Sequence, residues 1–163
     1  MKIIKYILEA FCIYVLFFLI RILGLNLGRK ISGSFFLKIG FFFRSKKLIK
    51  KNILTALGNI SDSEIKIITK SMWLNYASTF AEYVYLDKFR LNKFSKPRVN
   101  ISGKEILDSV IKSKKPAIFI SGHFGNFELM AMELDKYKIN LAAIYRPLNN
   151  IFLNPLMVFL RKK

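Results

Sequence analysis

The sequence predicts an α/β architecture: an N-terminal membrane-anchor helix, a basic helical region, then the start of a sheet that is incomplete at its C-terminal end. Three observations carry this expectation. The apolar run Ala117 to Ser121 has strand length, the stretch from Phe127 to Lys136 is amphipathic, and Leu141 to Tyr145 is a second strand-like run. Strand, helix, strand in that order is the pattern of a parallel sheet, whose buried strands read as short apolar runs. The membrane anchor rests separately on the uncharged stretch Phe11 to Ile20 near the start of the chain. The expected boundaries are 1–25 for the anchor, 26–95 for a basic-aromatic interfacial and helical region, and 96–163 for the α/β part.

The anchor is read from Tyr6 to Leu23, with Lys5, Glu9 and Arg21 flanking or interrupting it. About 20 apolar residues suffice for a helix to cross the hydrocarbon layer. Glu9 is costly within that length. An interfacial helix, a cleaved signal or a buried core helix are the alternatives; Arg21-Ile22-Leu23-Gly24-Leu25 is a poor cleavage site. Arg29, Lys30, Lys38, Arg44, Lys46, Lys47, Lys50 and Lys51 follow the segment, against Lys2 and Lys5 before it. The positive-inside rule then keeps the body of the chain in the cytoplasm, behind a single membrane anchor.

Residues 26–60 interleave basic clusters with Phe35-Phe36 and Phe41-Phe42-Phe43. One reading is a core helix with a solvated basic face; the other places the aromatics among acyl chains and the lysines on anionic headgroups. Ser61-Asp62-Ser63-Glu64 has the spacing of a capping box. Ile65, Ile68, Met72, Tyr76, Phe80 and Val84 then recur at helical intervals, predicting an inward stripe. Glu82 is expected to be solvated. Beyond Ser95-Lys96-Pro97, Val99 to Gly103 reads as a short strand and turn, and Lys104 to Lys112 as a helix with Ile106, Leu107, Val110 and Ile111 inward. Asn126 is expected to cap the helix that follows it. Residues 147–163 give a turn, an apolar stretch from Pro155 to Leu160 and a basic end.

Composition fixes the kind of partner. Apolar residues make up 53% of the chain and Phe counts 16, too apolar for a disordered segment. The mean hydropathy is +0.30. With 28 Lys and Arg against 10 Asp and Glu, the formal charge is +18, which calls for an acidic partner or surface. The apolar N-terminus turns that choice toward anionic membrane lipid and away from nucleic acid, for which no motif is present. Cys12 is the single cysteine and His123 the single histidine, so a disulfide framework and a zinc centre are both excluded.

His123 lies in Ser121-Gly122-His123-Phe124-Gly125-Asn126-Phe127-Glu128, at the end of the first strand-like run. Imidazole accepts a proton near neutral pH, and a carboxylate can hold the ring and stabilise its charged form. In open α/β sheets, sites lie beyond the carboxyl ends of strands, where His123 and Arg146 both fall. Gly122 and Gly125 permit a tight turn around the histidine. The blander reading, a structural histidine beside a strand, stays open on these residues alone.

The His123-(four residues)-Glu128 box resembles the signature of the glycerolipid acyltransferase superfamily. Its wider frame, Gly122 to Glu128, is similar to the lipid A biosynthesis acyltransferases, the late lauroyl/myristoyl enzymes of Gram-negative bacteria. Ile144-Tyr145-Arg146-Pro147-Leu148-Asn149-Asn150 resembles the Tyr-Arg-Pro-x-(Asn/Asp)-Asn-Pro segment of that family, with Ile151 where proline often follows. Softer matches lie in Lys51-Asn52-Ile53 to Leu57, Trp73-Leu74-Asn75 and Glu82. The family is longer, and its later Asp-rich and Pro-Phe-Phe-Gly-like blocks have no counterpart here. The resemblance implies acyl transfer from acyl carrier protein to a hydroxyl of a lipid A precursor, with no metal or redox cofactor. It implies His123 as general base, Glu128 as its partner, and Arg146, Asn149 and Asn150 as substrate-binding residues. A half-length or inactive form of such an enzyme, or a non-catalytic membrane-binding protein, are the alternative expectations.

Overall fold

The computed structural model describes residues 2–144 and 146–162, and among these it contains eight α-helices and no β-strand. The chain divides into two compact units, one of Phe11–Val84 and one of Met1–Ala10 with Tyr85–Lys163. Helix α1 (Lys2–Leu23) contributes to both.

The unit spanning Phe11–Val84 is helical throughout. Alpha-1 ends at Gly24, whose φ of 84° suits a residue without a Cβ, and α2 (Leu25–Phe43) starts at once. Ile20 is essentially inaccessible and packs where a Cβ on Gly28 would stand. Helix α3 (Lys46–Leu57) is capped by the Ser45 hydroxyl, which accepts from the Leu48 amide at 3.3 Å, and is stopped by Gly58 at φ 73°. Helix α4 (Asp62–Tyr83) opens with the expected capping box. Ser61 Oγ accepts from the Glu64 amide, and Glu64 Oε2 accepts from the Ser61 amide at 2.9 Å.

Alpha-2 packs along α4. Small residues on α2 make that approach close: a Cβ on Gly33 would sit 3.2 Å from Leu74, and one on Gly40 would sit 2.5 Å from the Trp73 ring. Phe36 lies between Trp73 and Phe80, with ring centroids 6.4 and 5.6 Å away, and Phe17 meets Phe80 edge-on at 4.8 Å. Of these rings Phe17 is buried and the other three are half-buried, beside an aliphatic core that includes Ile20, Leu25, Ile65 and Ala77. The inward stripe expected on α4 needs one correction: Tyr76 is 56% exposed, and Ala77 is buried in its place. Close helix packing favours the smaller side chain at the contact, and the tyrosine carries its hydroxyl to the surface. Glu82, expected to be solvated, is buried and accepts a hydrogen bond from Arg29 Nη2. A carboxylate at such a depth needs a cationic partner.

The second unit contains α5 (Leu86–Arg90), α6 (Lys104–Ser113), α7 (Glu128–Lys136) and α8 (Asn154–Lys162), together with the first turns of α1. Leu86, Phe89, Met132 and Leu134 are buried in it. Arg90 donates to the Arg161 carbonyl at 2.6 Å and so ties α5 to α8.

The expected α/β sheet is not formed. Val99 to Ile101, Ala117 to Ser121 and Leu141 to Ile144 carry no strand ladder among the described residues. Tyr145, the last residue of the third run, lies outside them. Ile118 and Ile120, which share one face of the run, are 91% and 90% exposed, while Phe119 on the other face is half-buried. An apolar run has the propensity of a strand, but a sheet exists only where neighbouring backbones pair its N–H and C=O groups. Helix α6 forms where expected, yet Ile106 is 65% exposed and none of its residues is buried.

Candidate active site

The His123 box leads into α7. Asn126 caps that helix as expected: its Oδ1 accepts from the Glu128 amide at 3.2 Å and its carbonyl accepts from the Leu129 amide. Of the two glycines of the box, Gly125 is the one its backbone conformation favours, since at Gly122 only the exposed Phe124 ring would have to move. A Cβ at Gly122 would lie 2.5 Å from the Phe124 ring, and Gly125 has a φ of 54°.

His123 is exposed, its ring against Phe127 with centroids 4.3 Å apart. Glu128, in the first turn of α7, is buried and turned to a different partner. Its two oxygens accept from Arg161 Nε at 3.1 Å each, and Oε1 accepts from Nη2 at 2.5 Å. This fork-on-fork pairing is the strong geometry for arginine and carboxylate. Among the described residues, then, Glu128 is brought together with Arg161 rather than with His123.

Arg146 and Asn149 are exposed. Asn150 is 6% exposed, and its amide is committed on both sides. Its Nδ2 donates to the Tyr6 carbonyl at 2.9 Å and to Glu9 Oε2 at 3.1 Å, while its Oδ1 accepts from the Phe152 amide. The Asn150 carbonyl also accepts from the Leu153 and Asn154 amides, which starts α8. A cleft of about 490 Å³ in the same unit is lined by Phe89, Phe94, Arg98, Glu133 and Tyr137, among others; His123 and Arg146 do not line it.

Two of these partners were not foreseen from the sequence. Arg161 reads only as the basic end of an apolar stretch, and nothing in its local pattern names Glu128. Glu9 did carry a signal, because a carboxylate inside an apolar helix demands a donor. Lys5, one turn earlier, lies 3.7 Å from its Oε1, and Asn150, 141 positions away, donates to its Oε2.

The sequence matches the family of bacterial lipid A biosynthesis acyltransferases over residues 1–163. The chain belongs to that family. No curated protein and no solved structure matches it. Membership in the lipid A biosynthesis acyltransferases supports a role in acyl transfer to lipid A, and with it a lipid A precursor as the class of substrate. Helix α1 is long and apolar enough to cross a membrane, with a mean hydropathy of 2.3 over its best window.

Proposed function

We propose that this chain transfers a fatty acyl group from acyl carrier protein to a hydroxyl of a lipid A precursor, with His123 as general base. The family match over the whole chain carries the reading, and the His123 box within it supplies the chemistry. The imidazole takes the proton of the acceptor hydroxyl, and the oxygen attacks the thioester carbonyl. The C–S bond breaks, the ester forms, and the proton passes to the departing thiolate. Glu128 supports the charged imidazole, for which its carboxylate exchanges the Arg161 contact for the ring. Arg146 and Asn149, both exposed, are the residues assigned to a phosphate of the precursor, a task that suits a guanidinium fork. Asn150 holds their segment to the start of α1. Donor and acceptor supply all the reacting groups, so neither a metal nor a redox cofactor enters.

The same proposal places residues 1–25 in the inner membrane as an anchor, 26–95 at its surface and 96–163 on the cytoplasmic side. Because Asn150 is hydrogen-bonded to Tyr6 and Glu9 at the start of α1, that anchor enters the membrane from the cytoplasmic surface without crossing it. The excess of Lys and Arg after α1 supports that orientation. The basic surface also suits an acidic carrier protein as donor.

One observation favours a second reading. His123, Arg146, Ile118 and Ile120 all face solvent, so the reacting centre is not enclosed. On that reading the chain alone is an inactive or half-length form of the enzyme, or a basic membrane-binding protein. The test is transfer from acyl carrier protein to a tetraacylated lipid A precursor in detergent. Activity that falls by about 10²–10⁴ in His123→Ala supports the base role. Full turnover in that variant removes it, and absence of transfer in the unmodified chain selects the second reading.

A further inference from the structure

The Phe11–Val84 unit holds an open groove of about 740 Å³ between α2, α3 and α4. Its lining is divided by chemistry. Leu37, Phe41, Ile49, Ile65 and Trp73 give it apolar walls. Lys38, Arg44, Lys46, Lys50, Lys66 and Lys70 also line it, against the single carboxylate of Asp62. Lys50 is taken by Asp62 at 2.6 Å. Lys38, Arg44, Lys46 and Lys70 have no carboxylate partner among the described residues.

We infer that this groove binds an anionic phospholipid, with the phosphate among the lysines and the proximal part of an acyl chain against Phe41 and Trp73. Four unpaired cations around one concavity repel each other and favour an anion between them. An inorganic anion would satisfy the charges but leave the apolar walls wet; an amphiphile satisfies both. Phe42 and Phe43, which follow Phe41 on α2, are 77% and 65% exposed, so the apolar surface continues outward from the groove. That continuity favours a lipid, whose second chain needs cover, over an acidic protein surface, which would leave the phenylalanines unmatched. The inference stands apart from the His123 chemistry, since no residue of that box lines the groove.

Trp73 is the only tryptophan in the chain, so its fluorescence reports on this groove directly. The full chain, held in neutral detergent micelles, is titrated with phosphatidylglycerol brominated on its acyl chains, and separately with brominated phosphatidylcholine. The anionic lipid is expected to quench Trp73 at a mole fraction lower on the order of tenfold, given the attraction of each lysine for anionic lipid. The double variant K38E/K70E is expected to bring the two lipids together, while its emission maximum without lipid stays unchanged; K38A/K70A is the milder substitute. Equal quenching by both lipids with the unmodified chain overturns the inference. Release of the quenching by millimolar inorganic phosphate would reassign the cations to a free phosphate. Release by acyl carrier protein would reassign them to a protein partner. Loss of acyl transfer in His123→Ala leaves this measurement unaffected, so the two proposals fail separately.

Discussion

At the scale of single residues, polar groups in this chain find partners that are remote in sequence. Glu128 is held by Arg161, Glu82 by Arg29 and Glu9 by Asn150. Glu128 and Glu82 are buried and would be costly there without a cationic donor, while Glu9 is half-exposed and also has Lys5 one turn away. Two exposed carboxylates show the opposite, local case. The Ser61 hydroxyl, and then the Ser61 amide, hold the Glu64 carboxyl below its ordinary value of 4.5. The Lys50 hydrogen bond likewise holds Asp62 below 3.8. For both groups the folded pKa lies below the unfolded one. Their stabilising contribution is therefore present above the unfolded value and is lost as pH falls through the folded one. Carboxyl titration by NMR should place Glu64 below 4.5, and Ser61→Ala should return it toward that value. An unchanged Glu64 in that variant would contradict the capping box as the cause.

At the scale of elements, the packing of α2 on α4 depends on glycines that helix propensity alone would disfavour. Replacing Gly40 by Ala gains about 1 kcal/mol of helix propensity, but it drives a methyl to within 2.5 Å of the Trp73 ring. Overpacking of that kind costs roughly 1–3 kcal/mol, so the net expectation is a loss of about 1 kcal/mol. Thermal unfolding followed by circular dichroism checks the sign, and the Trp73 emission maximum should shift with it. A more stable variant with unaltered emission would show that the interface yields easily. Two helix starts were legible from capping residues: Ser61 and Asn126 act at the ends where their chemistry suits, whereas Gly58, which stops α3, and the break between α2 and α3 were not read from the sequence. Which residues of α4 face inward was less legible. A stripe with aromatic residues at every turn fits two faces, and only the approach of α2 selected Ala77 over Tyr76.

At the scale of the whole molecule, α1 is the element that relates the chain to a membrane. Only 11% of its most apolar window is buried, and Ile4, Phe11, Phe18 and Ile22 are each about two-thirds exposed. A helix with that surface is expected to sit in lipid. Cys12, exposed on the same helix and the only cysteine, provides the measurement. In membrane vesicles it should resist a membrane-impermeant maleimide from either side and react once the protein is solubilised in denaturant. Reaction in intact vesicles would instead place α1 outside the hydrocarbon layer. At this scale the sequence-based expectation erred most, because the α/β sheet it predicted is absent among the described residues. Ala117 to Ser121 and Leu141 to Tyr145 have the composition of buried strands, but composition says nothing about whether a neighbouring backbone is there to pair with them.

The sequence by itself determined the family, the apolar first helix, the helix starts at Ser61 and Asn126, and the glycine-framed His123 box. These depend on residue type and short spacing, which act through local sterics, capping and hydropathy. Only the tertiary structure decided that Glu128 meets Arg161, that Asn150 meets Glu9, and that six basic residues, five from three helices and Arg44 from the connection after α2, share one groove with Trp73. Those outcomes depend on which surfaces meet, and burial rewards a partner wherever the chain happens to supply it.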